Sequence, residues 1–448
     1  MRIGKYLKNC NEVYHITLDP KGPGVIRIHL VPPKRLKPGI PWVVIINGYS
    51  VLPLQTAWAV LLKEFISVFN ESFDRPYNEG ELKGLFKKIF NRIKDIYPDA
   101  KETAVKKDLN DIIEVLESIS RGEEPKYEIG YLTLSEYAKD MRASHRMDLM
   151  ISSMEKKGCW SCNQKCLLCY AGNEKMAIVN ELSKEEWFKV LDKLKKANIP
   201  AVTFTGGEPT LREDLPELVK YASWFVTRLN TNGIRLTYDL CKKLYDADLD
   251  SVQVTLYSYD KDIHNKMVGG DHFDETIEGI KNAIKAGLDV SINTPLCSIN
   301  ADYVKTVEFG KKLGIRYFST SGVIPTGKAL EDNVKKLSSD EIYNSLKEAY
   351  LFARENELEI SFTSPGWIKS DLLREMNMVV PSCGACLSNM AIAPNGEVIP
   401  CQSWLFEDGL GNILNTDFKK IWNSKKCKNQ RKFAVKNLEV CALKEARR

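Results

Sequence analysis

The chain has 448 residues, of which 44% are hydrophobic and 27% charged, and a net charge of +5. These are the proportions of an ordinary soluble globular protein with room for two to four domains. So mild a charge gives no argument for a nucleic-acid partner, and no stretch reads as a membrane span, because the most apolar one, residues 41–66, is broken by Asn47, Gly48, Pro53 and Gln55.

The N-terminus lacks the apolar core of a signal peptide. Seven of the twelve cysteines cluster at 159–169 and 383–401. Such clustering argues against a disulfide framework and for metal sites in a reducing cytoplasm.

In chain order, Ile26, Ile28 and Leu30 alternate with Arg27 and His29, the period of a half-buried strand. Val43 to Ile46 is a second β-branched run, closed by an Asn47-Gly48 turn. Three helical patterns follow. The first spans about Gln55 to Phe69. The second carries Leu82, Leu85, Phe86, Ile89 and Ile93 on one face, and the third carries Leu109, Ile112, Ile113, Leu116 and Ile119 and stops at Gly122. Strands followed by three amphipathic helices predict a winged-helix-like unit over 1–122. Its stretch from Asn47-Gly48-Tyr49-Ser50-Val51-Leu52 into Ala57-Trp58-Ala59-Val60-Leu61-Leu62 resembles the PqqD-like precursor-recognition domain. That resemblance implies that an edge strand would take a leader peptide as an added strand. An unrelated packing or dimerisation module is the plainer alternative. Residues 123–158, beginning Glu123-Glu124-Pro125-Lys126, read as a linker with one helix around Leu134 to Met150.

Next comes Cys159-Trp-Ser-Cys162-Asn-Gln-Lys-Cys166-Leu-Leu-Cys169-Tyr170. Cys162, Cys166 and Cys169 stand in a C-x3-C-x2-C array whose soft ligands favour zinc or an iron–sulfur cluster. A structural zinc normally takes four protein ligands, whereas three unequally spaced thiolates suit a cubane with one open iron. Cys159 has its gaps in the wrong order for this array and reads as a neighbouring thiol.

With Gly206-Gly207-Glu208-Pro209 about forty residues on, the array resembles the radical S-adenosylmethionine (SAM) superfamily. Alternating strands, near 201–205, 225–230, 252–257, 288–293 and 315–320, and helices such as Asp274 to Ala286 predict a parallel α/β sheet. The superfamily's partial (β/α)6 barrel fits them, expected over 159–330 with its chemistry at the carboxyl ends of the strands. The resemblance implies that Cys162, Cys166 and Cys169 hold a 4Fe-4S cluster whose fourth iron is chelated by SAM. It further implies SAM contacts at the Tyr170 backbone, Gly206, Gly207, Glu208, Asn232, Thr255 and Asn293. A 5′-deoxyadenosyl radical would then remove a hydrogen from the substrate. Cys297 reads either as a hydrogen donor or as a small buried hydrophobe.

After a bridging region over 331–382, with a helix near 340–356 and a strand at Leu358–Phe362, the cysteines return. The order C-x9-G-x4-C from Cys386 to Cys401, with Cys383 upstream and Cys427 and Cys441 downstream, resembles the SPASM/twitch extension of radical SAM enzymes. It implies an auxiliary 4Fe-4S cluster over 383–448. The ligands expected are Cys383, Cys386, Cys401 and Cys441, with Cys427 able to replace one. Ala442-Leu443-Lys444 stands where a further cysteine run would be needed for a second auxiliary cluster. Structural zinc is the alternative.

The combined expectation is a cytoplasmic peptide maturase with a leader-bearing precursor and a flavodoxin- or ferredoxin-type reductant. A thioether crosslink is the leading product. A carbon–carbon crosslink, epimerisation, sulfatase cysteine oxidation, a small-molecule radical SAM dehydrogenase and a non-catalytic zinc-bearing peptide binder remain open.

Overall fold

The computed structural model describes residues 3–18, 26–36, 40–47, 50–72, 78–120, 123, 125–126, 134–331 and 334–446. Gly48, Tyr49, Gly122 and Glu124, named above, lie outside them. The chain divides into two compact units, Met1–Arg142 with Lys196–Pro200, and Ala143–Lys195 with Ala201–Arg448.

The first unit opens with α1 (Ile3–Leu7), then β1 (Tyr14–Leu18), β2 (Ile26–Val31), β3 (Trp42–Ile46) and β4 (Ser50–Leu54). These strands form one antiparallel sheet in chain order. Two of them, β1 and β4, were not anticipated. Pro53, which reads as a breaker, sits on the edge strand β4 opposite Val43, a position that tolerates a missing N–H. Helices α2 (Thr56–Asn70), α3 (Glu79–Ile96) and α4 (Glu102–Ser120) follow. Their apolar stripes bury Leu62, Ile66, Ile89, Ile93, Ile112 and Leu116 with Ile28, Leu30, Val44 and Leu52 in one core. Leu82 departs from its expected stripe and is exposed.

Strand β2 is not half-buried. It is central, and its polar side chains are covered by β1: the His29 ring stacks on His15 at 4.7 Å, and Arg27 donates to Thr17 Oγ1 at 3.3 Å. The helix expected over Leu134–Met150 is a single turn, α5 (Leu134–Tyr137). Residues 146–152 are instead β5 (Arg146–Ser152), the start of the large sheet, inside the stretch read as linker. An apolar run this short, buried on both faces, has no period that separates strand from helix.

The second unit continues with a hairpin of β6 (Glu155–Lys156) and β7 (Cys159–Trp160), then α6 (Lys184–Lys196) and β8 (Ala201–Gly206). The α6 start is the anticipated capping box: Glu186 N donates to Ser183 Oγ and Ser183 N to Glu186 Oε2. Its stripe of Trp187, Val190, Leu191 and Leu194 is buried. The alternation proceeds through α7 (Leu215–Tyr221), β9 (Val226–Thr231), α8 (Tyr238–Asp246), β10 (Ser251–Thr255), α9 (Lys261–Val268), α10 (Phe273–Lys285) and β11 (Val290–Pro295). It then runs through α11 (Tyr303–Lys312), β12 (Tyr317–Ser321), α12 (Ser339–Glu355) and β13 (Glu359–Phe362).

The sheet order is β13-β12-β11-β10-β9-β8-β5, and every neighbouring pair is parallel. Thus β13, read as part of a bridge, is a full member of the sheet. After α13 (Ser370–Glu375), β14 (Asn389–Ile392) pairs in parallel with β5, and β15 (Val398–Ile399) closes that edge antiparallel. Short helices α14 (Phe418–Trp422), α15 (Lys425–Lys436) and α16 (Ala442–Ala446) end the chain. Among the described residues no helix is long and apolar enough to cross a membrane.

Candidate active site

Parallel strands aim their carboxyl ends the same way, and loops from those ends enclose a cavity of about 480 Å3. It is lined by thirteen of the fourteen cluster and SAM positions expected above: Cys162, Cys166, Cys169, Tyr170, Gly206, Gly207, Glu208, Asn232, Thr255, Asn293, Cys383, Cys401 and Cys441. Cys386 is not among the lining residues. Cys159 is exposed on the hairpin, and Cys297 is a buried thiol whose Sγ lies 3.3 Å from Asn300 Oδ1. Neither lines the cavity.

The three-cysteine loop is pinned from several sides. Trp160 Nε1 donates to Gln164 O at 2.8 Å, and Lys165 N and Leu167 N donate to Val268 O and Met267 O. Burial pushes the Cys162 thiol up to about 12, and raises Cys166 and Cys169 as well. A thiol must lose its proton to bind metal, so loading such a site releases protons and is favoured by alkaline conditions.

Gly206 and Gly207 carry the backbone close to β5. At Gly206 (φ +139°) a Cβ would stand 2.5 Å from Ser152 O, and at Gly207 2.8 Å from Ser153 O. Glu208 is buried, and burial raises its carboxyl. Thr210 N and Oγ1 and Thr231 Oγ1 donate to its Oε1, and Asn232 N donates to its Oε2. Three of these donors crowd Oε1 and one reaches Oε2, so Oε2 keeps acceptor capacity. These bonds join the ends of β8 and β9. Asn232 is similarly engaged, donating to Asn163 Oδ1 at 2.7 Å and accepting from Ile234 N.

Of the second sulfur group, Cys383, Cys401 and Cys441 line the cavity and Cys386 does not. Cys383, Cys401 and Cys441 share one apolar cluster with Trp404 and Leu443 on the cavity wall. Cys386, with φ +56°, pairs with Cys427, which raises its thiol and lowers that of Cys427. Arg431 lies 3.6 Å from Cys427 Sγ and 3.8 Å from the Trp422 ring centroid. Among the described residues no three Cys, His, Asp or Glu side chains converge tightly enough for a single ion. Donor sets made of cysteine sulfur suit iron–sulfur chemistry.

Sequence reasoning missed the inward faces of the strands. Asp148, Thr203, Arg228, Asn230, Gln253 and Ser319 all line the cavity. Their signal was present as polar residues two apart, Thr203-x-Thr205, Arg228-x-Asn230-x-Asn232 and Gln253-x-Thr255. That spacing puts them on one strand face. Gln253 Nε2 donates to Ser319 Oγ (3.1 Å), which donates to Asn293 Oδ1 (2.9 Å). Asp148 Oδ2, Thr203 Oγ1 and Asn230 Oδ1 are buried without hydrogen-bond partners.

Gly327 is the tightest joint beside the cysteine loop. Its φ is +58°, and a Cβ there would stand 2.3 Å from Cys169 O and 2.6 Å from Tyr170 O, both backbone atoms. Gly327→Ala is expected to cost about 1–3 kcal/mol by overpacking and to lower iron content after anaerobic reconstitution. Denaturant unfolding and iron assay measure both effects. A variant with parental stability and full iron would show that the loop can yield.

Residues 161–310 match the radical SAM superfamily, and residues 383–443 match an iron–sulfur cluster-binding domain (SPASM). The chain is 25% identical over 282 residues to an AdoMet-dependent heme synthase of Oleidesulfovibrio alaskensis, covering 58% of this chain and 72% of that one. It is 36% identical over 157 residues to a probable GTP 3′,8-cyclase of Thermococcus kodakarensis, covering 34% of this chain and about half (51%) of that one. Among solved structures, Streptococcus suis SuiB bound to S-adenosylmethionine shares the fold with a TM-score of 0.62 at 16% identity, covering 91% of this chain and 94% of that one. SuiB bound to precursor peptide SuiA gives 0.61 at 15% identity, with the same coverage.

Proposed function

From the premise that the chain is a radical SAM enzyme whose C-terminal part binds further iron–sulfur, we propose that its substrate is a ribosomally synthesised precursor peptide. The observation that carries this reading is a fold shared with a peptide-bound enzyme over 91% of the chain, a share that includes most of the first unit. A four-stranded sheet with edges at β1 and β4 offers a PqqD-like acceptor for a leader peptide, by strand addition. The reading includes a cytoplasmic location and a flavodoxin- or ferredoxin-type reductant.

Cys162, Cys166 and Cys169 would hold the SAM-binding cluster, and Cys383, Cys401 and Cys441 an auxiliary one, with Cys386 or Cys427 as a fourth ligand. When bound, SAM and the clusters supply a 5′-deoxyadenosyl radical that takes hydrogen from carbon, and an acceptor for the remaining electron. The chain's own task is to hold the peptide carbon, exclude water and receive a proton. Among the described cavity-lining residues the carboxylates are Asp148 and Glu208, and both oxygens of Glu208 already accept hydrogen bonds. Asp148 keeps Oδ2 unpartnered while Arg146 Nε lies 3.1 Å from Oδ1. It lines the same cavity as cysteines of both sulfur groups. Asp148 is therefore our candidate proton acceptor.

A thioether is the product we favour. Cys383, Cys401 and Cys441 line the cavity, so the group they hold would stand within reach of a substrate cysteine. The test is anaerobic reconstitution with a candidate Cys-containing precursor, followed by mass and fragmentation. Loss of two hydrogens with the new bond at a cysteine sulfur is the expected result. An unchanged mass with solvent deuterium would mean epimerisation. Curated relatives named for heme and GTP chemistry favour a second reading, a small-molecule substrate. An inert peptide beside active SAM cleavage would support it.

A further inference from the structure

The turn at residues 326–331 is sewn to the cysteine loop. Lys328 N donates to Cys169 O at 3.0 Å. Glu174 Oε1 accepts from Thr326 Oγ1 (2.8 Å) and Gly327 N (2.7 Å), and Asn173 Nδ2 donates to Glu331 Oε1 (2.7 Å). The Lys328 stem runs across Gly172, where a Cβ would stand 2.8 Å from Lys328 Cγ. Its ammonium ends 4.4 Å from the centroid of the Trp160 ring, which is itself bonded to Gln164 O.

We propose that Lys328 is a positioning residue that sets a fixed positive charge beside the three-cysteine site and raises the reduction potential of the cluster held there. The inference rests on Cys162, Cys166 and Cys169 being the ligands. Three thiolates make such a site electron-rich, and a one-electron reduction adds another negative charge. A fixed cation stabilises the reduced form more than the oxidised one, and more strongly where water is excluded. The cation–π seat and the glycine lane fix where the charge stands.

The experiment is a redox titration of anaerobically reconstituted full-length protein, followed by electron paramagnetic resonance. The SAM-binding cluster is identified as the signal that changes on adding SAM. Lys328→Met keeps the stem and removes the charge; Lys328→Gln is a second neutral variant, and Lys328→Arg keeps the charge. Both neutral variants are expected to disfavour reduction about tenfold, a shift of about 59 mV for one electron, with the auxiliary signal unmoved. The arginine variant should stay near the parent. Neutral variants with full iron and an unchanged midpoint would overturn the proposal. So would iron loss in all three, which would mark a merely structural contact. A triple Ala variant at Cys162, Cys166 and Cys169 that kept the SAM-responsive signal would instead overturn the ligand assignment beneath it.

Discussion

Replacing Cys162, Cys166 and Cys169 together with Ala is expected to reduce 5′-deoxyadenosine formation to the level seen without protein. No other set of three thiols lies on the loop joining β7 to the first crossover helix, and soft sulfur ligands are what iron–sulfur chemistry requires. Stability should suffer less than activity, because all three side chains are partly exposed and line a cavity. Chromatographic assay of deoxyadenosine, with iron content and a thermal melt on the same sample, separates the outcomes. Continued SAM cleavage by a folded variant would move the radical site elsewhere.

Asp148→Asn should divide the reaction in two. The amide keeps the shape of the carboxylate and its place opposite Thr203, but it cannot accept the proton. Modified peptide is expected to fall by about 10²–10⁴-fold, the usual worth of a positioned base. Deoxyadenosine should persist, because hydrogen removal from carbon precedes proton loss. The ratio of product to deoxyadenosine is the measurement. A parental ratio would remove Asp148 from the proton path, and equal loss of both would make it a structural residue.

The barrel was readable in the sequence because its helices are amphipathic with ordinary caps, and its strands are short β-rich runs between them. Ser183 with Glu186 and the Trp187–Leu194 stripe show this directly. Reading failed where burial on both faces removed the alternation, as in Arg146–Ser152, and where cross-strand partners buried polar groups, as with Arg27 and His29. The site divided along similar lines. Cysteine spacing and a glycine pair survive as local text, so the loops that line the cavity were legible. Asp148, Arg228 and Gln253 meet only after distant strands have paired. Cys386 has a left-handed backbone and sits against Cys427, off the cavity wall, a local twist that spacing alone does not encode.

The hydrogen-bonded ladder between β14 and β5 has a wider meaning. Asn389 to Ile392 run in register with Arg146 to Leu149, so the C-terminal cysteine region is woven into the same sheet as the barrel and is no detachable appendage. Without it, β5 would present a bare row of amides and carbonyls, the kind of border along which chains stick to one another. Evolution could thus vary the loops around each sulfur group freely while keeping the gap between the two groups almost constant, as two hooks screwed into one plank.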